Sequence, residues 1–266
     1  MEADPQLEAI HQLLEDGKPA EALDKVRQAT REGGPDPVLD FFEGFCHLEL
    51  GEPYQAVEAL ARAVKDEPDD VDFRTHLALA QYRCCEFERA RDTLSKTLEL
   101  PDPIGDSFWV YGLLLEREGK YEQADSAFAE AERLDPERLP APPRMTEEEF
   151  KQEVIEAGKE LPEEFRKHLD EIPTRIQPLP TDEQLAEDDP PFEPDGLLGL
   201  FVGVPLGERL DGAVSLPPQI VLFQRNLERD CKSREQLREQ IQITVWHELG
   251  HYLGLDEDEL EAIDLA

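Results

Sequence analysis

Small and apolar residues recur along the first half of the chain with a period of 34. Alanines stand at 22, 56, 90 and 124, and Gly17, Gly51 and Gly119 keep the same spacing, with Cys85 at the third position. Pro68 and Pro136 agree in phase, two periods apart. The local pattern reads Gly51-Glu-Pro-Tyr-Gln-Ala56 and Gly119-Lys-Tyr-Glu-Gln-Ala124, followed by Leu60 and Ala63 or by Phe128 and Ala131. A fixed period of this length predicts one supersecondary unit per repeat. Each unit reads as two antiparallel helices joined at the glycine, with the alanine allowing close approach and the proline stopping the second helix.

The pattern changes after residue 136. Asp135-Pro-Glu-Arg-Leu-Pro-Ala-Pro-Pro-Arg144 holds four prolines in ten residues and reads as a stiff, extended linker. Thr146 with Glu149 forms a capping box for a helix through Phe150, Val154 and Ile155 towards Gly158, and a short helix is expected over 162–169. Ile172–Pro180 alternates apolar and polar residues, and its prolines suit an edge strand. Residues 181–195, with seven acids and no base, read as a mobile surface loop. Gly196–Leu206 is an apolar segment punctuated by glycines, and Pro218–Arg225 reads as a strand. A final helix starts near Ser233, and Ile241, Ile243, Val245, Trp246, Leu249, Tyr252 and Leu253 make it apolar nearly all round. The second half is therefore expected to be a small α+β domain with this last helix packed on a short sheet.

The period of 34 with these small residues resembles the tetratricopeptide repeat, in four copies over about residues 3–136. The third copy departs, with Cys85 for glycine, Thr97 for alanine and Asp102 for proline; the first has Pro19 and Val26 where aromatics are usual. The resemblance implies an α-helical repeat solenoid whose concave face binds protein or peptide clients.

Charge narrows the partners. With 63 acids against 27 Lys and Arg, the net charge is −36. Phosphate backbones and anionic membrane surfaces would be repelled, so neither nucleic acid nor membrane is an expected partner. The amino terminus Met1-Glu-Ala-Asp-Pro has no basic and apolar leader, no apolar run approaches a membrane span, and Cys46, Cys84, Cys85 and Cys231 lack metal-type spacing. The expected compartment is the cytoplasm, with reduced thiols.

The chemistry lies in the last helix, in Thr244-Val-Trp-His247-Glu248-Leu-Gly-His251-Tyr-Leu-Gly254-Leu-Asp256-Glu257. Histidines four apart share a helix face and can hold one metal ion from adjacent directions. A buried helix carrying an uncompensated His-Glu-His face would be costly, which favours a bound ion, and zinc is the expected one, one per chain. Glu248, beside His247, can act as general base without binding the metal. Zinc needs a third protein ligand, and in the spacing His-Glu-x-x-His-x-x-Gly-x-x-ligand that place is Glu257, with Asp256 one residue away as the competitor. Fifteen residues follow His251, too few for a ligand on a distant later helix.

Residues 146–266 resemble the bacterial minimal-zincin family, small zinc metallopeptidases, through Leu161-Pro-Glu-Glu-Phe165, Gly199-Leu-Phe-Val-Gly-Val-Pro-Leu206 with Glu208-Arg209, Ile220-Val-Leu-Phe223 and the Thr244–Glu257 motif. The resemblance implies metal ligation by His247, His251 and an acidic position, here Glu257 where the family commonly has aspartate, with Glu248 as base. The expected organisation is a repeat domain at 1–136, a linker at 137–145 and a minimal-zincin domain at 146–266. Two functions fit: a zinc peptidase hydrolysing peptide bonds, with a repeat domain for protein interaction, or an interaction scaffold whose zinc site is structural or catalytically silent. An intact Glu248 favours the first, because a structural site needs no general base.

Overall fold

The computed structural model describes residues 5–169, 172–187, 191–208 and 217–261. The chain divides into two compact units, Met1–Pro140 and Ala141–Ala266.

The first unit is built from four helix pairs: α1 (Pro5–Glu15) with α2 (Pro19–Gly33), α3 (Pro37–Glu49) with α4 (Pro53–Asp66), α5 (Val71–Arg83) with α6 (Phe87–Leu98), and α7 (Gly105–Arg117) with α8 (Tyr121–Leu134). Each helix packs on the next in sequence, and α3, α5 and α7 also touch in succession. The 34-residue period sets the contacts. Ala22, Ala56, Ala90 and Ala124 are fully buried. Gly17, Gly51 and Gly119 turn the chain between paired helices at φ 69°, 69° and 72°, and Cys85 adopts 59° in their place. The left-handed region disfavours a Cβ, so the departure from glycine in the third repeat leaves the turn intact and carries backbone strain. A second in-phase set, Gly44, Ala78 and Gly112, lies on the first helix of the second, third and fourth pairs. A methyl at Gly44 would meet Leu60 Cγ at 2.5 Å, and one at Gly112 would meet Phe128 at 2.6 Å. Thr97, buried where the other repeats have alanine, returns its hydroxyl to the Thr93 carbonyl at 3.0 Å.

The second unit opens with α9 (Glu147–Glu160), whose N-terminus carries the reciprocal Thr146–Glu149 capping box, and α10 (Glu163–Leu169). Among the described residues three strands follow, β1 (Thr174–Gln177), β2 (Gly199–Val202) and β3 (Gln219–Phe223), in spatial order β1-β3-β2. The β1–β3 pair is parallel, with Thr174 opposite Ile220; β2–β3 is antiparallel, with Phe201 opposite Ile220. Ile220, Val221, Leu222 and Phe223 are all buried, as expected of a central strand covered on both faces. The proline-flanked segment takes the edge.

Three segments differ from their sequence readings, the first being 196–206, to which that reading assigns no strand and which supplies β2. The strand expected through Arg225 ends at Phe223, and Gln224–Arg229 forms α12. This turn is helical because its polar groups bond inward. The fully buried Glu228 accepts from Arg144, from the Met145 N–H at 3.0 Å and from Gln224 at 2.8 Å. Asn226 donates to the Pro194 and Leu197 carbonyls at 2.9 and 2.6 Å. The expected loop over 181–195 begins with α11 (Asp182–Leu185), started by a Thr181–Gln184 capping box and seated by the buried Leu185. Residues 188–190, like Arg209, lie outside the described residues.

The proline-rich stretch is anchored at both ends on its own unit. A methyl added at Gly105 would meet Leu139, and the Met145 amide is held by Glu228. The long helix α13 (Arg234–Leu253) is capped by Ser233, which accepts from the Gln236 N–H. It buries Leu237, Ile241, Val245, Leu249 and Tyr252 against the sheet and α9, while Ile243 reaches solvent at 39 % exposure. The short helix α14 (Glu257–Glu261) folds back after it.

Candidate metal centre

His247 and His251 lie one turn apart on α13 with ring centroids 4.6 Å apart and Nε2 atoms 3.0 Å apart. The His251 Nδ1 lies 3.2 Å from the Leu255 carbonyl. That contact requires the proton on Nδ1 and leaves the Nε2 lone pair for a metal, the usual outer-shell arrangement of a ligating imidazole.

Glu257 Oε1 completes the group at 3.3 Å from His251 Nε2 and 3.9 Å from His247 Nε2. All three donor atoms fall within 4.8 Å of one another. Donors bonded to one zinc at tetrahedral angles are separated by about 3.4 Å, which the observed distances bracket. Two imidazole nitrogens and one carboxylate oxygen are also a donor set suited to zinc. The residues fit the ion.

The turn after α13 explains how a carboxylate so close in sequence can face its own helix. Gly254, at φ 93°, ends α13 in the left-handed conformation, and the Leu255 N–H closes on the Gly250 carbonyl at 3.0 Å. The chain then reverses, and the buried Leu260 seats on Gly250, where a methyl group would collide with it. Gly250 looks like a poor choice between two histidines in a helix, but it is the floor on which α14 rests. Asp256 has a different task. Its Oδ1 accepts from the Glu259 N–H at 2.9 Å while Glu259 accepts from the Asp256 N–H at 3.1 Å, so it caps α14 and points Glu257 at the histidines.

Glu248 sits beneath the donor group at 5 % exposure. A Cβ at Gly199 would lie 2.7 Å from Glu248 Oε1 and 2.7 Å from Thr244 Cγ2, so only glycine lets β2 pass this close to the carboxyl. Burial pushes the Glu248 carboxyl up to about 8; the Phe201 backbone N–H donates to it and opposes the rise, and the Glu257 carboxylate adds to it. A divalent cation beside it would pull it back down. Phe201 also packs edge-on against Tyr252 at 5.8 Å, which fixes β2 on α13. A cavity of about 480 Å³, walled by Phe192, Phe201 and Pro205, opens over His247, Glu248 and His251. A second, of about 250 Å³, continues past His247 and Glu248 towards Gln240 and Ile243.

The structure thus brings His247, Glu248, His251 and Glu257 together and places Asp256 outside the donor group. Sequence reading did not single out Phe201, Gly199 or Leu260 as parts of the site. The glycine-punctuated segment around Gly199 carried a signal, since an isolated glycine in a strand marks close approach of another group.

A zincin-like metallopeptidase profile matches residues 169–266, and a tetratricopeptide repeat profile matches residues 47–101. The chain carries a tetratricopeptide repeat region and a zincin-like metallopeptidase domain. Solved structures similar to it include YrrB, a TPR protein with an unusual peptide-binding site, at 20% identity and a TM-score of 0.43, covering 51% of this chain and 70% of that one. TTC0263, a thermophilic TPR protein in Thermus thermophilus, is 21% identical with a TM-score of 0.45, covering 49% and 73%. MamA from Desulfovibrio magneticus RS-1 is 19% identical with a TM-score of 0.42, covering 57% and 80%. No curated protein matches the chain. The zincin-like match spans both histidines, Glu248 and Glu257, and the repeat match spans the strained turn at Cys85. Among the described residues no helix is long and apolar enough to cross a membrane.

Proposed function

We propose that the zincin-like domain is a zinc-dependent peptidase and that the repeat region brings protein or peptide clients to it. The observation that carries this reading is Glu248, a buried carboxyl held by the Phe201 amide directly beside the His247, His251 and Glu257 donors. A purely structural site would have no use for such a group. Among the described residues the donor group has three members, one fewer than a closed four-ligand site.

His247, His251 and Glu257 would hold one zinc ion. Bound there, the ion would supply the Lewis acidity needed to polarise a water and a substrate carbonyl. Glu248 accepts the proton of the attacking water and delivers it to the leaving amine. The Phe201 amide keeps that carboxyl oriented between the two transfers. The two cavities that meet at His247 and Glu248 give an extended peptide room on either side of the reacting bond, and the edge position of β2 offers it backbone groups to pair with.

The test compares wild type with Glu248→Gln, each quantified for bound zinc and assayed by mass spectrometry on a mixed library of unfolded peptides. Both should hold about one zinc per chain, and only wild type should cleave. Zinc in both with cleavage by neither would instead make this a catalytically silent site on an interaction scaffold, and no zinc in wild type would remove the reading altogether.

A further inference from the structure

The four apolar residues Val38, Phe41, Phe42 and Phe45 follow the i, i+3, i+4, i+7 spacing along α3. The residues this helix buries most deeply are Leu39, Gly44, Cys46, His47 and Leu48, while Phe41 and Phe42 only border the core and Val38 and Phe45 lie outside it. Helix α3 therefore has a second apolar face, and it lines a cavity of about 700 Å³ on the side where α1, α3, α5 and α7 succeed one another. The three phenylalanines are only half-buried there. Phe41 stacks on Phe73 at 4.9 Å and meets His76 edge-on at 5.1 Å, so the apolar floor is rigid without being covered.

The walls of this cavity are acidic. Glu15, Glu49, Asp70, Asp72 and Asp106 line it. Among the described residues no lysine lines it, and the guanidinium of the one lining arginine, Arg138, is engaged by Asp106 and Asp135. Burial holds the Asp72 carboxyl above the usual carboxylate range; His76 and Arg138 oppose this, and the neighbouring Asp70 and Asp106 reinforce it. An incoming cation would relieve that crowding.

We propose that this inner face of the repeat region is a receptor for a cationic segment of another protein that carries an aliphatic or aromatic anchor. The anchor fills the space over Phe41, Phe42 and Phe45, and flanking Lys or Arg side chains meet Asp72 and Glu49. A second copy of this chain is a poor occupant, because each copy carries a net charge of −36. The inference rests on the reading that the repeat region binds clients, and adds their chemistry.

The experiment uses the full chain and four labelled peptides of equal length, built from Lys and Leu, Glu and Leu, Ser and Leu, or Lys and Ser, with binding followed by fluorescence anisotropy. The Lys/Leu peptide should bind best, and more weakly as salt is raised. Asp72→Asn combined with Glu49→Gln should weaken it about tenfold. Glu58→Gln combined with Glu122→Gln, which removes the same charge from the exposed faces of α4 and α8, should leave it unchanged. Phe45→Ala, whose side chain belongs to none of the buried core clusters, should weaken it as well, with the helical circular-dichroism signal retained. Equal loss in both charge pairs, or equal binding of Lys/Ser, would mean diffuse attraction to an acidic surface and overturn the proposal. If Ser/Leu or Glu/Leu binds as well as Lys/Leu and Phe45→Ala abolishes it, cation selectivity falls but the client-binding reading stands. Binding of none of the four overturns both.

Discussion

At the scale of single residues, the question is how two adjacent acids come to have different tasks. Spacing favours Glu257 over Asp256, but one residue of slip in the turn exchanges them. Asp256 is committed to capping α14 through Glu259, and Glu257, at the first position of that helix, is turned towards His247 and His251. Glu257→Ala should therefore lower zinc affinity at least tenfold, as loss of a ligand does, whereas Asp256→Ala should cost about 1 kcal/mol of stability through the lost cap and only secondarily affect zinc. Titration against a chromophoric chelator, paired with urea unfolding of each variant, separates the two effects. Larger zinc loss in Asp256→Ala would reverse the assignment. The ambiguity could not be resolved from the chain alone, because α14 is a five-residue helix with four acids and no apolar period to reveal it. Its one anchor, Leu260, only becomes legible once Gly250 is seen beneath it.

At the scale of elements, the repeat was legible because it is enforced by sterics. A buried alanine and a left-handed turn recur at fixed positions, and a departure at either shows at once. Cys85 is such a departure, and it holds φ at 59° where Gly17, Gly51 and Gly119 hold similar values without cost. Cys85→Gly should stabilise the repeat region by about 1 kcal/mol, the left-handed penalty less the extra unfolded-state freedom of glycine. Thermal unfolding followed by circular dichroism would register it, and a fall in stability would show that the thiol's contacts outweigh the strain. The helix α12 was illegible for the opposite reason. Reading by hydrophobic period assigns polar residues to the surface, yet Asn226 and Glu228 are fully buried, with backbone groups from distant segments satisfying them. No local pattern announces a partner more than 80 positions away, such as Met145 for Glu228. The strand–helix junction at Phe223 was lost with it.

At the scale of the whole molecule, the two tryptophans offer a way to ask where zinc acts. Trp109 packs edge-on against Phe128 at 4.9 Å in the repeat region. Trp246 adjoins His247 on α13 and donates its indole N–H to the Ala157 carbonyl at 3.1 Å. Each compact unit thus carries its own reporter, and the variants Trp109→Phe and Trp246→Phe isolate one signal at a time. An ion that binds only the folded zincin-like domain stabilises that domain by mass action, by about 2.7 kcal/mol at a hundredfold excess over Kd. Zinc should therefore raise the urea midpoint reported by Trp246 and leave the Trp109 transition where it was, and a chelator should reverse the shift. Equal shifts at both reporters would mean that the chain unfolds as one cooperative body, so that loss of the ion would be felt in the repeat region as well. A Trp246 transition indifferent to zinc would count against the proposed ligation by His247, His251 and Glu257, whose donor atoms lie within 4.8 Å of one another.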